Sequence, residues 1–297
     1  MWAERPAASD SPHSDWLTAL CSVDSAVPSS LKRFDELCER DVPCDAFEGS
    51  AKVAERIDSY RTTRYFDTGR YLEEKVRQVD ALFARVAGEL GIDVKRLTST
   101  LLASSERKAC PLQTVIGLDA GGEPELRLKY YWVLKAHSLH LMQRLFRELQ
   151  VDAPSQVNLD QVYICGLDFT SHGLHDIKLY FALDRARLSR AVRNLGPVAE
   201  LFSDSKLVCF QHCVLTRGKR QMFFHARHPE VVQRALERLE TPRAHELIER
   251  VRLLNQVLSR GKMLPWIIAF PYQEGRLDLS SCNVYFHPTE SPSATSG

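Results

Sequence analysis

Lys129 and Tyr131 stand two residues apart in an apolar, strand-like run, and Lys178 and Tyr180 repeat the spacing. Side chains alternate across a strand, so each pair shares one face. Two later runs carry the same alternation, with Gln221, Phe223 and His225, then Asn283, Tyr285 and His287. Turned inward, the lysines, with Arg61 or Arg127, would be buried cations, which are costly unless an anion compensates them. A diphosphate is such an anion, and tyrosine hydroxyls can add donors to its oxygens. Aromatic rings on the same face can stabilise an allylic cation through their π faces. That chemistry is ionisation of an allylic diphosphate and capture of the carbocation by a nucleophile. Periodicity alone leaves the opposite orientation open, with lysines in solvent and tyrosines in the core.

Four hairpins must position these residues. Residues 112–119 pair with 125–134, 162–169 with 176–183, 206–216 with 219–226, and 263–272 with 277–287, each pair across a turn-rich connection. Residues 45–54 and 57–66 supply a fifth pair. Helical spacing covers residues 14–38, 69–90 and 93–103, and then 136–149, 184–201 and 229–259. Repeated units of this size need neighbours to bury their apolar faces. Hairpins with outer helices can close a sheet on itself, and about ten antiparallel strands leave a lumen wide enough for a ligand. The expected fold class is α+β: a closed barrel with helices outside, occupying 14–287 as one domain between tails at 1–13 and 288–297.

Composition sets bounds. The 297 residues are 44% hydrophobic and 26% charged, and the net charge is only +1, which gives no global attraction to nucleic acid or an anionic membrane. Any anion site must be local. Eight cysteines include no Cys-x-x-Cys pair, and no signal segment or bilayer-length apolar run occurs, so a cytoplasmic protein with reduced thiols is expected. The short-spaced histidines lack a ligand pattern, and no protein metal site is expected. Nor is there a phosphate-cradling P-loop or a dinucleotide fingerprint.

Several segments resemble the cyanobactin prenyltransferases, the peptide-modifying branch of the αββα-barrel aromatic prenyltransferases. They are Phe47-Glu-Gly-Ser-Ala-Lys52, Val115-Ile-Gly-Leu-Asp119, Val162-Tyr-Ile-Cys-Gly-Leu-Asp-Phe169 with Lys178-Leu-Tyr180, Phe223-Phe-His225, Leu264-Pro265-Trp266 and Val284-Tyr285-Phe286. The resemblance implies an αββα barrel from about Ala46 to His287. It also implies transfer of an isoprenoid from its diphosphate to a side chain or terminus of a ribosomal peptide, and the wall opened at Ile268 favours a geranyl or longer (farnesyl) donor over dimethylallyl. Glu48 would face the acceptor as base or orienter. Arg61, with Arg64 a near alternative, would join Lys129, Tyr131, Lys178, Tyr180 and Tyr285 on the diphosphate. Phe210, Phe223, His225, Trp266 and Ile268 would line the tail pocket. Any Mg2+ would ride on the diphosphate.

The sequence departs from that pattern at two points. Asn283 replaces a frequent arginine on the last strand, and Ile268 stands where many relatives carry a tryptophan that bounds the tail. Two rival readings remain: the same reaction on a free indole or phenol, and a non-catalytic barrel that binds a peptide or lipid.

Overall fold

Ten antiparallel strands run β1 (Ala46–Val53), β2 (Ile57–Asp67), β3 (Pro111–Asp119), β4 (Arg127–Leu134), β5 (Ile164–Thr170), β6 (Gly173–Ala182), β7 (Ser205–Cys213), β8 (Arg220–Ala226), β9 (Met263–Gln273) and β11 (Cys282–Pro288). Each sequence-adjacent pair from β1 to β8 is hydrogen-bonded. The ring then closes through β8 to β9, β9 to β11 and β11 to β1. The two-residue β10 (Arg276–Leu277) extends the last hairpin beyond a tight turn at Glu274 and Gly275, both at positive φ. This computed structural model describes residues 12–67, 73–95, 97, 111–121, 126–134, 139–183, 196–216, 219–239, 242–259 and 261–289.

All five expected strand pairs form. Two long helices do not. Residues 14–38 divide into Pro12–Val23 and Ser29–Asp41, because Pro28 is extended (φ −62°, ψ 141°) and disfavours helix at Val27. Residues 229–259 divide into Pro229–Glu237 and Pro242–Val257, the second opening on a proline that needs no N–H partner there. The helix expected at 93–103 and the part of the 184–201 helix before Gly196 lie mostly outside the described residues; Ala199–Asp204 is helical.

Strand alternation divides the apolar side chains between two regions. Outward residues Phe66, Ile116, Tyr130, Trp132, Leu167, Phe169, Phe224 and Val284 are buried against the helices, with Phe34, Leu37 and Phe83 opposite them. Each such burial contributes about 1.5–3 kcal/mol. Inward residues Cys209, Phe223, Ile267 and Ala269 form a separate cluster in the lumen, with Tyr163, Tyr180, Leu207, Trp266 and Tyr285 packed on it.

Candidate active site

Three cations converge at the lumen end where β3 and β5 finish. Arg61 Nε lies 3.1 Å from Asp119 Oδ2 and Lys129 Nζ 3.4 Å from the same oxygen, while Lys178 Nζ sits 2.5 Å from Asp168 Oδ2. Arg61 also donates to Asn283 Oδ1 at 2.8 Å, and Asn283 donates onward to Gln221 at 3.3 Å. The departure at Asn283 thus leaves β11 holding Arg61 instead of adding a charge. With Arg127 and Asp58 also acting on this cluster, four cations (Arg61, Lys129, Lys178 and Arg127) face three carboxylates (Asp119, Asp168 and Asp58), an excess of one positive charge. Arg61 Nε lacks hydrogen-bond geometry to any acceptor, and Asp119 Oδ1 has no partner. Buried polar groups normally find partners, so an N–H left open at a cation cluster is suited to an incoming anion.

The Gly-x-Asp spacing explains how this cluster fits. Gly117 and Gly166 face the lumen, where a Cβ on the first would strike Thr63 and one on the second the Tyr131 ring. Two residues on, each strand returns to the same face with an aspartate. In register, Lys129 lies opposite Asp168 on β5, and Gly166 opposite both Tyr131 and Lys178. Asp119 and Asp168 were not singled out in the sequence as site residues; the signal was their place in the two Gly-x-Asp runs.

Electrostatics follow from burial. Burial would raise Asp119, but Arg61 and Lys129 overcome it and hold the carboxyl well below its usual range. Lys178 is raised despite burial, because Asp168 bonds to it. Lys129 is lowered to about 8 by burial and the neighbouring Arg61, with Asp119 pulling it back. Burial also pushes Tyr131 and Tyr180 well above 10 and Tyr285 up to about 12, so all three stay neutral O–H donors.

Above the cradle, aromatic rings meet in sequence around the wall. Ring centroids are 6.2 Å apart for Tyr131 and Tyr180, 5.4 Å for Tyr180 and Phe223, and 5.8 Å for Phe223 and Tyr285. Beyond them lies Glu48, 3% exposed. Its Oε1 accepts from Thr63 Oγ1 at 3.0 Å; its Oε2 accepts from Tyr65 OH at 3.1 Å and meets His287 Nε2 at 2.9 Å. Thr63 and Tyr65 are two and four residues along β2 from Arg61, and His287 is four along β11 from Asn283. At about 3.3 Å per residue, the carboxylate and the cradle stand on the order of 10 Å apart along the barrel. His225, lowered to about 4 chiefly by burial against the pull of Glu48, is a neutral ring at the same end.

The lumen therefore brings together Glu48, Arg61, Lys129, Tyr131, Lys178, Tyr180, Phe223, His225, Trp266 and Tyr285 from the sequence-based set. Three expectations are corrected. Arg64 is fully buried on the opposite face of β2, ion-paired with Asp35 on the helix Ser29–Asp41 and set over Phe47. Phe210 faces outward, because its neighbour Cys209 takes the lumen position; its ring packs edge-on to Tyr272 at 5.7 Å. Ile268 is fully buried in the core under the helices, with Ile267 and Ala269 facing the lumen in its place.

The closed ring, its hairpin order and its outer helices match solved structures along nearly the whole chain. A 6-dimethylallyltryptophan synthase from Micromonospora olivasterospora, in complex with DMASPP and Trp, superposes with a TM-score of 0.65 at 14% identity, covering 97% of this chain and 100% of that one. The fold is the αββα prenyltransferase barrel. AnaPT from Neosartorya fischeri matches at 0.59 and 15% identity over 94% of this chain and 92% of its own. NotF in complex with brevianamide F and DMSPP matches at 0.61 and 13% identity over 97% of each. No protein-family model matches the sequence, and no curated protein matches it. Among the described residues no helix is long and apolar enough to cross a membrane. None of them forms a cluster of three or more His, Cys, Asp or Glu that could hold a metal ion.

Proposed function

We propose that this barrel transfers an isoprenoid from its diphosphate to a nucleophilic side chain or terminus of a ribosomally made peptide. One observation carries the reading: a ring of lumenal aromatics stands between a cation cradle and a buried carboxylate. The diphosphate binds Arg61, Lys129 and Lys178, with Tyr131, Tyr180 and Tyr285 as neutral donors. Mg2+, if used, would be held through the diphosphate rather than by protein carboxylates, and would add charge neutralisation to that of Arg61, Lys129 and Lys178. Bond breaking leaves an allylic cation against the π faces of the aromatic ring, and Glu48 takes the proton of the attacking acceptor. A second reading, transfer to a free small aromatic such as an indole or phenol, has support from a similar structure whose complex holds Trp. Incubation of peptide and free-indole panels with five-, ten- and fifteen-carbon diphosphates, read by mass spectrometry, separates the two. A mass gain on free indoles alone would overturn the peptide assignment, and no gain on any acceptor would overturn the transfer reaction.

The lumenal wall also suggests the donor. Cys209, Phe223 and Ala269 are register partners on three adjacent strands, so one aromatic is flanked by two small side chains. Space there suits a ten-carbon or longer tail, since pocket walls select chain length by blocking added methylenes. Ala269→Trp is expected to shift the ratio of ten- to five-carbon transfer towards five carbons by at least about tenfold, measured by paired donor competition. Ile268→Trp fills the helix-side core instead and is expected to cost about 1–3 kcal/mol of stability with the donor ratio unchanged.

Lys129 gives the donor site a pH dependence. Its proton is lost near 8 in the free protein, and a bound diphosphate favours the charged form. Affinity is therefore complete below that value and declines as pH rises through it, by up to about tenfold per unit. Calorimetric titration with a thiolodiphosphate from neutral to alkaline pH reads this directly. Lys129→Arg keeps its charge and should flatten the curve; an alkaline decline that survives the substitution would assign it elsewhere.

A further inference from the structure

The three contacts to Glu48 are unequally shared between its oxygens. An ionised carboxylate accepts only, and offers about four lone-pair sites, two on each oxygen. Tyr65 and His287 occupy both on Oε2, whereas Thr63 occupies one on Oε1. Because the carboxylate cannot donate, His287 must present Nε2 as N–H. That leaves Nδ1 on a ring whose side chain is 39% exposed, beside a glutamate side chain that is 4% exposed. Tyr65 and Thr63 come from β2, His287 from β11, so two strands on either side of β1 clamp one group. His225 on β8 and Lys206 on β7 also face this end, and neither bonds to Glu48 among the described contacts.

We propose that His287 is a positioning residue which, with Tyr65, saturates Oε2 of Glu48 and leaves the open lone pair of Oε1 to take the acceptor proton. The inference rests on the transfer reaction proposed above and adds to it which atom acts and what aims it. The C1–O bond breaks first and its electron pair leaves with the diphosphate; the acceptor atom then bonds to C1 of the allylic cation. The acceptor proton goes to Oε1. Without the His287 clamp, Oε2 regains a vacant site and the carboxylate is aimed from β2 alone, by Thr63 and Tyr65. A misaimed base loses much of its value, since a displacement of about 1 Å can cost on the order of a hundredfold.

The test uses the full chain with saturating donor. His287→Ala is expected to lower kcat by about 10- to 100-fold with donor KM and melting temperature unchanged. Glutamine places an amide N–H where histidine has Nε2, whereas asparagine reaches only as far as Nδ1. His287→Gln should therefore recover activity to within about threefold of the parent, and His287→Asn should not. Equal activity of Gln and Asn variants, or an alanine variant with parental kcat, overturns the proposal. Nitrogen-15 NMR of His287 supplies a readout independent of turnover. It should report the Nε2–H tautomer in the parent and a loss of that preference in Glu48→Ala. An unprotonated Nε2 in the parent overturns the clamp. If the tautomer is as expected but no acceptor is modified, the clamp stands and the transfer reaction fails.

Discussion

Glu48→Gln should lower transfer by ~10²–10⁴ while leaving diphosphate affinity nearly untouched. Glutamine fills the same volume and its carbonyl oxygen can still accept from Thr63 or Tyr65, so the contact between β1 and β2 persists. What it cannot do is take a proton. The separation of carboxylate from cradle makes the two readouts independent: single-turnover rates report on Glu48, and calorimetry with a thiolodiphosphate reports on the cations. A variant that bound donor poorly yet transferred normally at saturation would place Glu48 at the wrong end of the lumen.

The second large effect concerns Lys178. Each charge-assisted contact to phosphate is worth ~1.5–3 kcal/mol, so Lys178→Ala should weaken donor binding roughly ten- to a hundredfold. The variant should also be less stable. Asp168 is fully buried, and its Oδ2 lies on the Lys178 ammonium. Removing one partner of a buried pair strands the other charge at a cost of about 3–5 kcal/mol. Lys178→Met combined with Asp168→Asn removes both charges and should restore most of the stability without restoring affinity. Denaturant unfolding and calorimetry on the single and double variants check the two parts. Full donor affinity in the double variant would remove Lys178 from the site.

Part of this site was legible from alternation alone. On β4 and β6 polar and apolar side chains alternate, so Lys129 with Tyr131 and Lys178 with Tyr180 could be set on one face before any partner strand was known. The same parity failed on β9. Residues 263–270 read Met-Leu-Pro-Trp-Ile-Ile-Ala-Phe, apolar on both faces, and the register shifts opposite Tyr285 and Phe286. With no polar marker and an irregular ladder, nothing local distinguished Ile268 from its neighbours, and a match to relatives set it in the lumen, where Ile267 and Ala269 on either side stand instead. Phe210 failed for the same reason, since Cys209 beside it is as apolar. Asp168 and Lys129 are register partners 39 positions apart, and such a pairing depends on which strands neighbour each other. The helix breaks at Pro28 and Pro242 were written in the sequence but overridden by periodicity that continued on either side.

Closure of the ring bears on how any acceptor is read. Among the described residues, every one of the ten ring strands has a neighbour on both sides, so the ring itself leaves no long unpaired strand to which a peptide could be added. Addition of a peptide strand along the ring is therefore not available. On the proposed function, an acceptor would project one group end-on past His287 and Trp266 towards Glu48, with its flanking residues left at the rim. Such a reader would tolerate broad variation on either side of the modified position and discriminate by what a single protruding side chain carries at its tip.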